Sequence, residues 1–158
     1  MDRGEAPEKN IKLTEIMHSA VSVTPKTSAR EVLQVLLKNN VPGVPVVEED
    51  GKVVGFVTDG QLLASALPKY LVMMEDLSFV SDSADNWVHY LTEAAEKPVS
   101  EVMTPEVSTI EIGTSELEAA RKMVADGVSS VIVTKDGRMV GIVNRLDLYA
   151  AIVGLKPA

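Results

Sequence analysis

The chain repeats itself once, and this repeat restricts the possible folds more than any other feature of the sequence. Met17 in the first copy corresponds to Met103 in the second, and Ser28 corresponds to Ser115. One residue is inserted near Gly113 and one is lost near Thr134, and the remainder stays in register. A single copy of this size buries little apolar surface, so we expect the two copies to pack against each other.

Each copy predicts a strand followed by a helix. Short apolar runs at residues 21–24 and 107–110 predict the strands. A Ser-x-x-Glu sequence then begins at Ser28 and again at Ser115. This spacing is typical of the capping box that starts a helix. Asn40 and Gly127 occupy the positions where a helix end favours a left-handed residue.

A hairpin and a second helix follow in each copy. Asp-Gly at residues 50–51 and at 136–137 separates two runs of β-branched residues, which predicts a tight two-residue turn. The strands are nearly all apolar, so both of their faces should be buried. The last helix begins near Asp59 and near Arg145. Each copy therefore reads strand, helix, strand, strand, helix.

The segment between the copies predicts a helical connector. Pro68 interrupts the helix that begins near Asp59, because proline lacks an amide hydrogen. Apolar residues then recur at helical spacing, and Pro98 ends the pattern. The stripe consists of Trp87, Val88, Leu91 and Ala95. The boundaries are 1–12 for a polar N-terminal tail, 13–67 for the first copy, 68–98 for the connector and 99–154 for the second copy.

Charge and composition exclude several classes of function. The 158 residues carry a formal net charge of −8 and no cysteine. Nucleic acids and anionic membranes are recognised by basic clusters, which this sequence lacks, so neither is an expected partner. No signal-peptide or membrane-spanning pattern is present, and we expect a cytoplasmic protein. Neither a phosphate loop nor a nucleophile elbow occurs, so we do not expect an enzyme.

Residues 16–63 and 102–149 each resemble the CBS (cystathionine beta-synthase) motif along its full length. The resemblance implies a mixed α/β (α+β) fold in which two tandem motifs pack as a pseudo-twofold pair, often called a Bateman module. It further implies a non-catalytic regulatory module. Such modules bind AMP, ADP, ATP or an S-adenosyl compound in clefts between the two motifs.

The family's nucleotide signature is glycine, two apolar residues, Thr or Ser, two variable residues and Asp. The second copy reads Gly-Ile-Val-Asn-Arg-Leu-Asp at residues 141–147. The resemblance assigns Asp147 to the ribose hydroxyls, since a carboxylate accepts two donors, and assigns Asn144 and Arg145 to a phosphate. It directs them toward the base-binding segment of the first copy, namely Ile16, Ser19, Val21, Val41, Pro42 and Gly43.

The first copy keeps a different part of the signature. It reads Gly-Phe-Val-Thr-Asp-Gly-Gln at residues 55–61, with Thr58 at the hydroxyl position and Gln61 at the ribose position. A glutamine can bond a ribose hydroxyl without charge assistance. The resemblance therefore implies a second, weaker site that combines Thr58 and Gln61 with Val102, Val107, Val128, Ser129 and Ser130.

Structural roles compete with these assignments. Asp147 and Thr58 lie where a helix N-cap or an acidic first turn stabilises a helix, and Arg145 could be a solvated surface residue. His18 lies near the predicted base slot, where a capping or surface role is the alternative. Asp85 and His89 are four residues apart on the connector, and two ligands are too few for zinc. We therefore expect no metal.

Two functions follow from the sequence. The first is a sensor that binds an adenosine-containing ligand and acts on a separate regulated protein. The second is a ligand-free dimerisation or protein-docking scaffold, since both signatures are incomplete. A homodimer is expected in either case, and neither function requires a cofactor.

Overall fold

The structure, a computed structural model, describes residues 13–19, 21–76 and 84–155, with the backbone alone at 84–87. The described residues form two compact units. We call residues 13–19 with 108–155 the terminal unit, and residues 21–76 with 84–107 the central unit. The units do not coincide with the two sequence copies, because the first residues of the first copy belong to the unit built by the second copy.

The elements occur twice in the same order, apart from the connector. The first set is α1 (Leu13–Ile16), α2 (Ala29–Asn39), β1 (Gly43–Val47), β2 (Val53–Thr58) and α3 (Asp59–Ala66). The connector holds α4 (Lys69–Val72) and α5 (Ala84–Ala95). A 3-10 helix (Val99–Glu101), β3 (Thr109–Glu111), α6 (Glu116–Asp126), β4 (Ser130–Lys135), β5 (Arg138–Asn144) and α7 (Arg145–Ile152) follow.

Each unit contains one sheet. In the central unit β1 and β2 pair antiparallel. In the terminal unit β3 lies parallel to β4, which pairs antiparallel with β5. The strand expected at residues 21–24 is reduced to a single bridge between Val23 and Val46. Two prolines are the reason, because proline has no amide hydrogen to donate. Pro45 occupies the position of Ile132, whose amide donates to Ser108, and Pro25 occupies that of Ile112, whose amide donates to Thr134.

The first long helix of each unit begins and ends as predicted. The hydroxyls of Ser28 and Ser115 accept hydrogen bonds of 3.2 Å from the amides of the third helical residues. Asn40 and Gly127 close the helices with φ of 51° and 65°. The left-handed conformation satisfies the terminal carbonyl groups, as both amides donate back into the last turn.

Only part of the apolar surface of these helices is buried. Val32 and Leu36 on α2 are buried, as is Met123 on α6. Leu117 and Val124 recur at helical spacing with Met123, yet both are exposed. The helices therefore cover their own sheets with a narrow stripe and carry a second apolar stripe on the outside.

A separate aliphatic core fills each unit. In the central unit the core contains valines from both strands, from α2 and from the 3-10 helix. In the terminal unit Leu13 and Ile16 pack with Val131, Val133 and Val143. The short helix α1 is thus part of the core that the C-terminal third of the chain builds.

One predicted turn is present and the other is not. Asp136 and Gly137 have φ of 54° and 80°, as a two-residue hairpin turn requires. In the loop between β1 and β2 only Gly51 has a positive φ, and this loop spans residues 48–52. Five residues separate these two strands where two separate β4 and β5, so Asp50 and Gly51 do not form a two-residue turn.

The connector is helical, with one difference from the prediction. Helix α3 ends before Pro68, as expected, and α4 follows at once. On α5, Ala94 is buried and Leu91 is half-buried, whereas Val88 is exposed although it was predicted in the same stripe. The side chain of Trp87 and residues 81–83 lie outside the described residues.

Candidate functional site

The predicted phosphate-binding residues lie at the start of α7. Asn144 is the N-cap of this helix, and its side chain makes no capping hydrogen bond. Arg145, the first helical residue, is exposed, and its amide donates to the carbonyl oxygen of Ser129 over 2.9 Å. The helix start therefore leaves an amide side chain and a guanidinium group available at the surface.

Asp147, in the first turn of α7, is held by His18. The distance from His18 Nε2 to Asp147 Oδ2 is 2.7 Å. The side chain of Asp147 is 21% exposed and that of His18 is 55% exposed. The other carboxylate oxygen of Asp147 has no hydrogen-bond partner among the described residues. The carboxylate makes no capping hydrogen bond, but it lies in the first turn of α7, where a negative charge favours the helix, as the structural alternative predicted.

Backbone pairing brings His18 to this position. Its amide donates to the carbonyl oxygen of Ile142 over 2.8 Å, and the Ile142 amide donates back over 3.0 Å. Ile142 belongs to β5, the strand that carries the signature. The residues around His18 therefore run directly beside the signature. Ile16 is buried in the core below, and Ser19 is exposed.

The signature glycine permits this close approach. A Cβ atom on Gly141 would lie 2.8 Å from Met17 Sδ and 3.1 Å from the His18 carbonyl oxygen. Gly55 has the same role in the central unit, where a Cβ atom would lie 3.1 Å from the Thr104 carbonyl oxygen. Both signature glycines are needed because a neighbouring backbone crosses the strand there.

The central unit repeats the arrangement with different side chains. Thr104 pairs with Phe56 through two backbone hydrogen bonds of 2.9 and 3.0 Å. The Thr58 hydroxyl accepts from the amide of Gln61, and the Gln61 side-chain oxygen accepts from the amide of Thr58. The side-chain nitrogen of Gln61 donates to the Thr104 hydroxyl. Both ends of the glutamine amide are therefore in use within the unit.

The two halves match position by position. Asp147 corresponds to Gln61, and His18 corresponds to Thr104, each one repeat apart. In both units the side chain at the ribose position forms a hydrogen bond with the residue that directly follows a methionine. The methionines are Met17 and Met103. Sequence reasoning noted His18 but missed this pair. The repeated Met-His and Met-Thr steps at equal spacing are the signal that could have found it.

Comparison with known proteins decides the family. The family model of the CBS domain matches residues 13–67 and 99–154. The chain belongs to the CBS domain family. The tandem motifs and the mixed α/β fold expected from the sequence are thereby confirmed.

Individual CBS proteins are similar over most of the chain. The chloroplastic CBS domain-containing protein CBSX1 of Arabidopsis thaliana is 30% identical over 85% of this chain, which spans 59% of that relative's length. The CBS domain of a membrane protein from Sphaerobacter thermophilus is 28% identical, with a TM-score of 0.71 over 90% of this chain and 88% of that one. CBSX2 of the same plant, crystallised with AMP, is 23% identical, with a TM-score of 0.66 over 90% and 96%, and shows the fold alone.

The remaining predicted residues are divided between the two units. Val21, Val41, Pro42 and Gly43 belong to the central unit, where the first three are exposed. Val102 and Val107 are half-buried in the same unit. The terminal unit contains Val128, Ser129 and Ser130, and only Ser129 is exposed. The grouping of these CBS residues into two ligand sites stays a prediction.

The outer face of the second CBS motif carries an apolar groove. It lies between α6 and α7, has a volume of about 560 Å³ and is lined by residues such as Val124, Leu146 and Tyr149. The equivalent face of the central unit lies between α2 and α3, and there Leu91 and Ala94 of α5 also line the groove. The connector helix thus covers in one unit the face that α6 and α7 leave exposed in the other.

The described part of the chain holds neither a metal cluster nor a membrane-spanning helix. No group of His, Asp or Glu side chains suitable for a metal ion occurs there. His89 pairs with Glu93 over 3.0 Å, one turn along α5, while the Asp85 side chain is outside the described residues. No helix within these ranges has the length and apolar character needed to cross a bilayer.

Proposed function

We propose that the protein is a non-catalytic regulatory sensor that binds an adenosine-containing ligand at the start of α7. The observation that carries the proposal is the Asp147 carboxylate, which is largely buried, has one free oxygen and lies in a CBS signature. The crystal structure of CBSX2 in complex with AMP supports an adenosine nucleotide as the class of ligand.

The chemistry at this helix start suits a nucleoside phosphate. A carboxylate accepts hydrogen bonds from the two hydroxyls of a ribose, and charge assistance strengthens both. The N-terminus of a helix favours an anion, and the free Asn144 amide with the Arg145 guanidinium adds donors for a phosphate.

The site around Gln61 is less suited to a ligand. Its amide would have to break the capping contact with Thr58 and the contact with Thr104 before it could bond a ribose. A neutral amide gains less from such an exchange than a carboxylate does. We therefore propose one adenosine ligand per chain, bound at Asp147.

Thermal unfolding with a ligand panel tests the sensor function. The panel contains AMP, ADP, ATP with magnesium, S-adenosylmethionine and NAD. A ligand present at one hundred times its dissociation constant adds about 2.7 kcal/mol to the free energy of unfolding. We expect the unfolding midpoint to rise by roughly 5–10 °C with at least one adenosine compound. No shift with any compound at millimolar concentration would contradict the sensor function.

The apolar groove favours a second proposal, self-association of two chains. Leu146 and Tyr149 of α7 are 74% and 66% exposed, which is unusual for large apolar side chains on neighbouring turns. The same face of the central unit is covered by an apolar stripe of α5. We propose that a second copy of the chain covers the α6–α7 face, since an isologous contact buries the same apolar patch twice.

Leu146→Lys is expected to weaken this self-association by about 10- to 100-fold, because the interface loses one buried leucine from each of the two chains. Sedimentation velocity over a concentration series measures the effect. Leu37→Lys is the matched control, since Leu37 is 73% exposed on α2 of the central unit and does not line the groove. A wild-type monomer at all concentrations, or equal association of both variants and wild type, would overturn the proposed interface.

A further inference from the structure

We propose that His18 is a latch that competes with the ligand for the carboxylate of Asp147, an inference that rests on the adenosine site proposed above. The latch is the hydrogen bond of 2.7 Å between His18 Nε2 and Asp147 Oδ2. Without a ligand it satisfies a carboxylate that is only 21% exposed. With a ligand, one of the two ribose hydroxyls needs the same oxygen.

The backbone holds the latch in place, while its side chain can move. The two hydrogen bonds between His18 and Ile142 fix the histidine backbone beside the signature strand. The side chain is 55% exposed, and its only hydrogen bond among the described residues is the one to Asp147. The imidazole can therefore rotate into solvent without any change in the sheet.

The repeat supports this interpretation through its contrast between the two units. Gln61, at the position of Asp147, is bonded by Thr104 and is also held by Thr58 through the capping box. Opening that pair disrupts the start of α3. Opening the His18 pair disrupts no helix cap, because Asp147 contributes none. Of the two equivalent contacts, the one in the terminal unit is therefore the one that a ligand can displace.

The latch makes a prediction about which ligands it opposes. A nucleotide with both ribose hydroxyls uses both oxygens of Asp147, so one hydroxyl competes with His18 for Oδ2. A 2′-deoxynucleotide offers one hydroxyl and can use the free oxygen while the latch stays closed. His18 therefore lowers the affinity for AMP and leaves that for 2′-deoxy-AMP unchanged.

Isothermal titration of three proteins with the two nucleotides tests the latch. We expect His18→Ala to bind AMP about two- to tenfold more tightly than the wild type, the range that one side-chain hydrogen bond contributes. Its affinity for 2′-deoxy-AMP should not change. His18→Gln, whose side-chain nitrogen reaches a similar position, should behave like the wild type. Weaker or unchanged binding of AMP by His18→Ala, or an equal gain for both nucleotides, would overturn the latch alone.

A second measurement needs no ligand. His18→Ala and Asp147→Ala should each lower the unfolding midpoint slightly, and the double variant should fall no further than the lower single variant, because both remove the same contact. Additive shifts would show that the pair is not formed, which overturns the latch whatever the nucleotides do. Coupled shifts without nucleotide binding by any variant would overturn the proposed sensor function, and the inference with it.

Discussion

Asp147→Asn is expected to bind AMP about 10- to 100-fold more weakly than the wild type, because two hydrogen bonds lose charge assistance and one amide group cannot accept both ribose hydroxyls. The variant should still fold, since the Asp147 side chain bonds only the exposed His18. Isothermal titration with AMP measures the affinity, and circular dichroism checks the fold.

Asp59→Asn is the matched control for this variant. Asp59 is an exposed carboxylate in the first turn of α3, the equivalent helix of the central unit. The substitution changes the net charge by the same amount, so it reports any effect of long-range electrostatics alone. If the two variants bind AMP equally well, the ligand site does not include Asp147.

Gly141→Ala and Gly55→Ala are expected to destabilise the protein by about 1–3 kcal/mol each, the usual range for overpacking a core. Each added Cβ atom would lie 3.1 Å from a backbone carbonyl oxygen and closer still to a methionine side chain. The methionine can adjust, but the crossing backbone is held by hydrogen bonds on both sides. Thermal unfolding should show the midpoint falling by roughly 2–12 °C.

Gly60→Ala provides the opposite expectation in the same unit. Gly60 lies in the first turn of α3, and an added Cβ atom would meet only the Thr58 hydroxyl, at 3.9 Å. Alanine in a helix is favoured over glycine by about 0.5–1 kcal/mol, so the unfolding midpoint should rise. If all three alanine variants behave alike, the close crossing at the two signature glycines does not limit stability.

Local sequence signals predicted much of the fold because local physics decides those features. Ser28 and Ser115 start their helices through contacts three residues away, and Asn40 and Gly127 end them through their own backbone conformation. The turn at Asp136 and Gly137 has the same basis. The predictions that failed depend on neighbours distant in sequence. Pro45, for example, shortens the strand pairing near Val23. Its missing amide hydrogen has this effect only because the segment near Val23 lies beside β1.

The candidate site shows the same limit more sharply. The CBS signature located Asn144, Arg145 and Asp147 at one helix start, where the structure also has them. The partner of Asp147 is 129 residues away, so no local pattern revealed it. Only the repeat could have indicated His18, by analogy with Thr104. That analogy requires the contact between Gln61 and Thr104, which is itself seen only in the structure. Which side chains are already occupied by internal partners is a property of the folded chain.

The packing of α1 against β4 and β5 also determines the order in which the parts of the protein can fold. The central unit is continuous in sequence, so it can fold while later residues are still being synthesised. Leu13 and Ile16 are synthesised before the central unit, whereas their core partners on β4 and β5 are synthesised after it. Helix α1 can therefore be buried only once β4 and β5 have been made. The apolar side chains of Leu13 and Ile16 lack these core partners while the central unit folds.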